Sequence, residues 1–236
     1  LHIFVDPAEK KLQVLRAGII RLPKLMKLHL RIESKTHEGL FPELSLIVQS
    51  LPHLRSFRLL LSSIKDSTPL KLCEFTHAIK NHKGLIQLYF EDYTTGYLEH
   101  FSDLYYCFQN PNLEKIGIQI LTLTKKGLLD LVRGLECAAK TTNNNIKEFT
   151  FKIFQSIYPS FESDGEDIQK IWKIISNFRR LKKLALRIQG EDVKSHDLLI
   201  VFGMLAKCLE TLEKLSLIIY SEGDVKSIQE DILRFL

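Results

Sequence analysis

Apolar and polar positions alternate along this chain in short, recurring stretches. In LMKLHLRI, which begins at Leu25, leucine or isoleucine fills positions 1, 4, 6 and 8, while His29 and Arg31 fill positions 5 and 7. Successive strand side chains point to opposite sides, so this alternation predicts a strand with one buried face. The same stretch returns at Leu54 (LRSFRLLL), Leu85 (LIQLYFED), Leu113 (LEKIGIQI), Ile146 (IKEFTFKI), Leu181 (LKKLALRI) and Leu212 (LEKLSLII). LHIFV, at residues 1–5, fits as the tail of an eighth copy. The starts lie 29, 31, 28, 33, 35 and 31 residues apart. A near-constant period of this length is the mark of stacked repeats.

Between the strands the spacing is helical. Ile168, Ile171, Trp172 and Ile175 fall at i, i+3, i+4 and i+7, one apolar stripe, which predicts that the single tryptophan is a core residue. Ser67, Thr68 and Pro69 read as a helix start. Asn81, Asn110, Asn143 and Asn177 stand three or four residues before a strand leucine or isoleucine, where asparagine is expected to end a helix in the left-handed conformation. Each unit thus reads as strand, loop, helix and tight turn. One unit cannot bury its own apolar faces, but stacked units bury them against their neighbours. The predicted fold is an α/β solenoid of seven to eight repeats, with a curved parallel sheet on the concave face and helices on the convex face. It is expected to form a single domain over residues 1–236. The chain opens at Leu1 inside the alternation and closes on LRFL inside a helical pattern, so it is expected to be part of a longer polypeptide.

The L-x-x-L-x-L-x-I pattern resembles the leucine-rich repeat family, and in particular its long ribonuclease-inhibitor-like subtype with a full helix per repeat. The resemblance covers nearly the whole chain. The lysine- and asparagine-rich, degenerate style of LEKLSLII is also similar to repeats common in ciliate protists. One departure is clear. The family places Asn or Cys at position 9, where this chain has Glu33, Ser62, Tyr93, Leu121, Phe154, Gln189 and Tyr220. The asparagine ladder expected at that position is therefore absent, which puts the regularity of the curve in question. The resemblance implies a non-enzymatic docking module or scaffold, a subunit of a larger assembly. It offers as an alternative a regulator of an enzyme: a GTPase activator, an inhibitor or a ubiquitin-ligase substrate receptor. The last usually carries an F-box before its repeats, and this range shows none.

Bulk composition changes this picture little. With 45% hydrophobic and 26% charged residues, the chain is ordinarily globular. Its longest apolar run, Leu198 to Ala206, is too short to span a bilayer, so no membrane partner is expected. Cys73, Cys107, Cys137 and Cys208 form no CxxC pair and are expected to be buried thiols in a reducing compartment. The expected location is intracellular, the cytoplasm foremost, with an organelle or a cytoskeletal assembly left open.

Catalytic patterns are missing: there is no GxGxxG, no GxxxxGK[ST], no GxSxG and no HExxH. His77 and His82 lie five apart and share a helix face poorly. The acidic stretch Glu162 to Asp167 fails as a calcium loop, because Lys173 stands where a bidentate glutamate is needed. Those acids, with Glu191, Asp192, Glu222 and Asp224, are read as helix-start residues. No cofactor, metal, catalytic residue or small-molecule substrate is therefore expected, and the chain is not read as an enzyme.

Net charge is +5. Positions 3, 5 and 7 of the seven matches carry eight Lys or Arg and two Glu, so their excess of six exceeds that of the whole chain. These positions are expected to face outward from the concave side as an electropositive trough. The candidate partner-binding residues are Lys27, Arg31, Arg58, Leu60, Tyr89, Lys115, Lys152, Lys183, Arg187 and Lys214. The expected partner is a protein with an acidic surface. RNA ranks below it, because Tyr89 and Phe4 supply few rings for base stacking.

Overall fold

The computed structural model describes residues 1–5, 9–33, 39–62, 72–93, 103–122, 125–140, 145–155, 174–175, 177–189 and 211–220. The period-two stretches form strands β1 (His2–Val5), β2 (Lys27–Glu33), β3 (Ser56–Ser62), β4 (Gln87–Tyr93), β5 (Lys115–Thr122), β6 (Glu148–Gln155), β7 (Lys183–Gln189) and β8 (Lys214–Tyr220). All eight join one parallel sheet in chain order. Helices α1 (Glu9–Ile19), α2 (Leu40–Gln49), α3 (Cys73–Asn81), α4 (Leu104–Phe108) and α5 (Lys125–Lys140) follow β1 to β5 in alternation. This is an α/β architecture compatible with a repeat solenoid.

Strands pair without slippage, so equal positions of successive repeats stand side by side. Position 4 runs Leu28, Phe57, Leu88, Ile116, Phe149, Leu184 across the sheet. All six are buried, as are the position-6 residues Leu30, Leu59, Phe90, Ile118, Phe151 and Leu186. A one-residue slip would turn every one of these side chains to the other face. Helix stripes meet them from one side: Leu44, Ile47 and Val48 of α2, Phe75 and Ile79 of α3, Leu131 and Leu135 of α5. The Phe75 ring lies 5.8 Å from Phe57 on β3 and 6.1 Å from Phe41 on α2, tying strand to helices. Each such buried side chain contributes roughly 1.5–3 kcal/mol. Ile175 of the predicted tryptophan stripe is buried; Ile168, Ile171 and Trp172 lie outside the described residues.

Position 8 breaks its own rule once. Asp92 takes the place of an aliphatic residue and is buried on the helix-covered face. A carboxyl in such a place requires a partner, and Asp92 has one.

The repeats are stitched together where their strands begin. The position-2 carbonyls of Met26, Arg55, Ile86, Glu114, Lys147 and Lys182 each accept two amide N–H groups from positions 2 and 3 of the next unit, at 2.7–3.1 Å. Side chains of the preceding turns add a second set of ties. His82 Nε2 donates to the Leu51 carbonyl at 2.9 Å, and the Gly84 amide donates to His82 Nδ1, which fixes the tautomer. Asn110 Nδ2 donates to the carbonyls of Ile79 and His82 at 2.7 and 2.9 Å. Asn145 Nδ2 reaches the Pro111 carbonyl, and Thr211 Oγ1 that of Leu181.

The reading of the asparagines as left-handed helix ends is corrected at Asn81. Asn81 is the last residue of α3, and the helix closes on His82 in an extended conformation. Asn110 acts through its side-chain amide. Asn143 lies outside the described residues. Left-handed backbone does occur at Gly39, before α2, with φ of 76°, which glycine adopts without a Cβ clash.

The cysteines need a correction too. Cys107 is buried, but Cys73 is exposed at the first turn of α3 and Cys137 is half-buried. All three are free thiols. Burial pushes the Cys107 thiol far up. Cys208, the Ser67–Pro69 helix start, the run Leu198 to Ala206 and the acidic stretches at 162–167, 191–192 and 222–224 lie outside the described residues. Among the described residues, no helix is long and apolar enough to cross a membrane.

Candidate functional site

The sheet face opposite the helices displays positions 3, 5 and 7 as three parallel rows, and all ten predicted site residues stand on it. The rows differ in how their charges are held.

Row 3 runs Lys27, Ser56, Gln87, Lys115, Glu148, Lys183, Lys214. Neighbouring strands lie about 4.8 Å apart, within reach of long side chains. Glu148 sits between two lysines, with Oε1 2.9 Å from the Nζ of both Lys115 and Lys183. Burial pushes the Glu148 carboxyl up, but the hydrogen bonds from the two lysines outweigh it and hold the group below its ordinary range. The Lys183 ammonium is correspondingly raised, first by its hydrogen bond to Glu148. Position 2 repeats the arrangement at the edge: Lys147 meets Glu114 at 2.7 Å, and Lys182 meets Glu213 at 2.6 Å.

Row 5 runs His2, His29, Arg58, Tyr89, Gly117, Thr150, Ala185, Ser216. The Nδ1 atoms of His2 and His29 approach to 2.8 Å. Burial, then the charges of Arg58, His2 and the terminal amine, push the His29 imidazole down. The Tyr89 ring lies flat over Gly117, where a Cβ would overlap it.

Row 7 runs Phe4, Arg31, Leu60, Glu91, Gln119, Lys152, Arg187, Ile218. The Arg31 guanidinium stacks 5.5 Å from the Phe4 ring centre. Glu91 does not point to solvent as its position predicts. It is only 6% exposed, because Arg58 folds over it with Nε and an Nη both 2.5 Å from Oε1. Leu60 and Tyr89, read as exposed apolar groups, are half-buried.

Three of the eight predicted cations, Arg58, Lys115 and Lys183, are therefore ion-paired. Arg187 has an interaction of its own. Lys27, Arg31, Lys152 and Lys214 take part in none of the ion pairs among the described residues. The fold brings Arg58, Tyr89 and Lys152 together around one hollow of about 230 Å³, while Lys27 and Lys214 stand on β2 and β8, strands apart from it. Glu91, Gly117, Ile118, Gln119 and Thr150 complete its lining. The candidate residues chosen from sequence omit these five. A signal was present: position 5 drops from Tyr89 to Gly117, Thr150 and Ala185, so a large ring is followed by missing volume.

Among the described residues, no three His, Cys, Asp or Glu side chains converge to hold a metal ion. No family model and no curated protein sequence matches the chain.

Proposed function

We propose that this chain is a leucine-rich-repeat docking module, of the ribonuclease-inhibitor-like kind, which binds an acidic protein surface on the open face of its sheet. One observation carries the reading. Among the described residues, Lys27, Arg31, Lys152 and Lys214 take part in no ion pair on a broad face interrupted by Leu60 and Tyr89. Unspent cations of one sign speed encounter with an acidic partner and select against basic ones. An aromatic ring beside an arginine, here the half-buried Tyr89 and the exposed Arg58, is the composition of interface anchors. The function is binding within a larger assembly and needs no chemistry from the module itself.

The test is affinity capture from nuclease-treated lysate of the source organism, with wild-type chain beside a Lys152→Glu, Arg187→Glu variant of unchanged thermal midpoint. A defined protein set held by the first and lost by the second supports the reading. The same set on both baits removes the open face from consideration. A partner lost to nuclease treatment points to RNA instead.

A further inference from the structure

We infer that the hollow over β4–β6 is a seat for a single carboxylate side chain, supplied by an extended acidic segment of the protein partner. The inference rests on the docking reading above and narrows it to one place and one chemical group.

Size is the first argument. Small-molecule sites occupy roughly 300–1,000 Å³, and this hollow of about 230 Å³ falls below that range. It has room for a side chain and little else. Its floor exists because Gly117 has no Cβ and Thr150 is short, so the Tyr89 ring can lie down and leave open space beside it.

Charge is the second. Of the lining residues, Arg58 and Lys152 are cationic and Glu91 is anionic, which leaves a net charge of one positive unit (+2 − 1). Arg58 is bound to Glu91 on one side and is still 46% exposed. A monoanionic carboxylate balances this site, with Lys152 as its own counter-ion. A phosphate monoester, carrying about −1.5 to −2, would leave uncompensated charge against the buried Glu91. A row of nucleic-acid phosphates would need a row of free cations, yet the neighbouring row-3 lysines are bound to Glu148.

Location is the third. The hollow sits beside the Tyr89 ring, so an acidic residue in it places its neighbours over that ring. A charge-assisted contact next to a ring in a partly enclosed hollow has the form of an interface anchor.

The experiment is an amide NMR titration of the full chain. The probe is an acetylated decapeptide of alternating Glu and Gly. Its Gln–Gly counterpart, inorganic phosphate and oligouridylate serve as comparison ligands. The expected result is shifts centred on Gly117, Gln119, Thr150 and Lys152 with the Glu–Gly peptide and none with Gln–Gly. Lys152→Ala should weaken the peptide about tenfold, as loss of an anchoring ion pair does. Gly117→Ala should weaken it by displacing the Tyr89 ring into the hollow. Lys27→Ala and Lys214→Ala should change it by less than about twofold, as peripheral charges do. Shifts spread evenly from β2 to β8 would overturn the hollow and leave the docking reading standing. Tighter binding of phosphate or oligouridylate at the same amides would overturn the choice of carboxylate. No shift on any strand with the Glu–Gly peptide would sink both readings.

Discussion

The two ends of the strands are built to different standards. At the end where each strand begins, the backbone and several side chains are committed to the adjoining repeat. Position-2 carbonyls take two amides each, His82 and Asn110 reach back to carbonyls of the repeat before them, and Glu148 clamps a lysine on either side. At the end where strands finish, position 9 carries no asparagine ladder, and row 7 holds Lys152 outside the ion pairs among the described residues. Lysine is used both ways: Lys115 and Lys183 of row 3 are paired to Glu148, whereas Lys152 of row 7, like Lys27 and Lys214 of row 3, joins none of the ion pairs among the described residues. The ties at the start of each strand and the uncommitted Lys152 are separated by only the length of a strand.

The sharpest way to break that comparison is to cut one tie at the entry end. Asn110→Ala removes the side-chain donor of the His82 carbonyl and one of the two donors of the Ile79 carbonyl, which keeps the His82 amide. An unsatisfied buried group costs about 1–3 kcal/mol, so the variant should lose about 1–3 kcal/mol in urea denaturation. Gln119→Ala, on row 7 of the adjacent β5, should stay within about 0.5 kcal/mol of wild type, as surface changes do. Equal losses in the two variants would mean that the entry-end ladder is no special tie.

The strands were readable in advance because burial alternates residue by residue, and the alternation survives in the structure at positions 4 and 6 without exception from β2 to β7. The parallel order followed from the constant period. The ladder was not readable, because the partners of Asn110 are backbone carbonyls 28 and 31 residues upstream. Nothing in a local pattern names a carbonyl; only the assembled register does. Asparagine in a turn suggested a backbone role, and its amide performs a cross-repeat one. The ion pairs were half-legible. Lys115, Glu148 and Lys183 share position 3 of consecutive repeats, so aligning the repeats already places them side by side. Arg58 and Glu91 sit at different positions, five and seven, and their pairing is a diagonal one. Counting charges on the face overstated what is available to a partner, because a count does not say which charges are spent.

A medium effect distinguishes two titrating groups by their pH windows. Glu148 titrates below its ordinary value of 4.5 in the folded chain. Its depressed value adds stability that is present above 4.5 and is lost as pH falls through the folded value. His29 titrates below its ordinary value of 6.5. Between 6.5 and its folded value the unfolded chain binds a proton that the folded chain does not, so stability again falls with pH, but two units earlier than for Glu148. Glu148→Gln should remove part of the acid limb below 4.5 and cost about 0.5–1 kcal/mol at neutral pH, the range of partly exposed ion pairs. His29→Asn should flatten the profile near pH 6 and leave the acid limb alone. Urea unfolding of both variants from pH 3.5 to 7.5 reads the two windows separately. Wild-type profiles in both would dismiss these groups as titrating contributors.

The smallest expected effect tests the exit end directly. Lys183 and Lys152 are both lysines on adjacent, paired strands, one in row 3 and one in row 7. Lys183→Ala removes one arm of the Glu148 clamp and leaves Lys115 holding the other. Its cost should be small, because the lysine is half exposed and solvent screens such a pair. Lys152→Ala removes no ion pair among the described residues, and its cost should be indistinguishable from zero; relief of repulsion from Arg187, its direct neighbour on β7, pushes the change toward stabilisation. Adding salt separates the two. Screening weakens the Lys183–Glu148 attraction and so narrows the gap between wild type and Lys183→Ala. The same screening removes repulsion that Lys152→Ala has already removed, so that variant should lose whatever advantage it holds at low salt. A destabilised Lys152→Ala protein would show that this lysine is tied into the fold after all. It would then belong with the committed residues of the entry end, and the division between the two ends of the strands would fail at the residue on which it most depends.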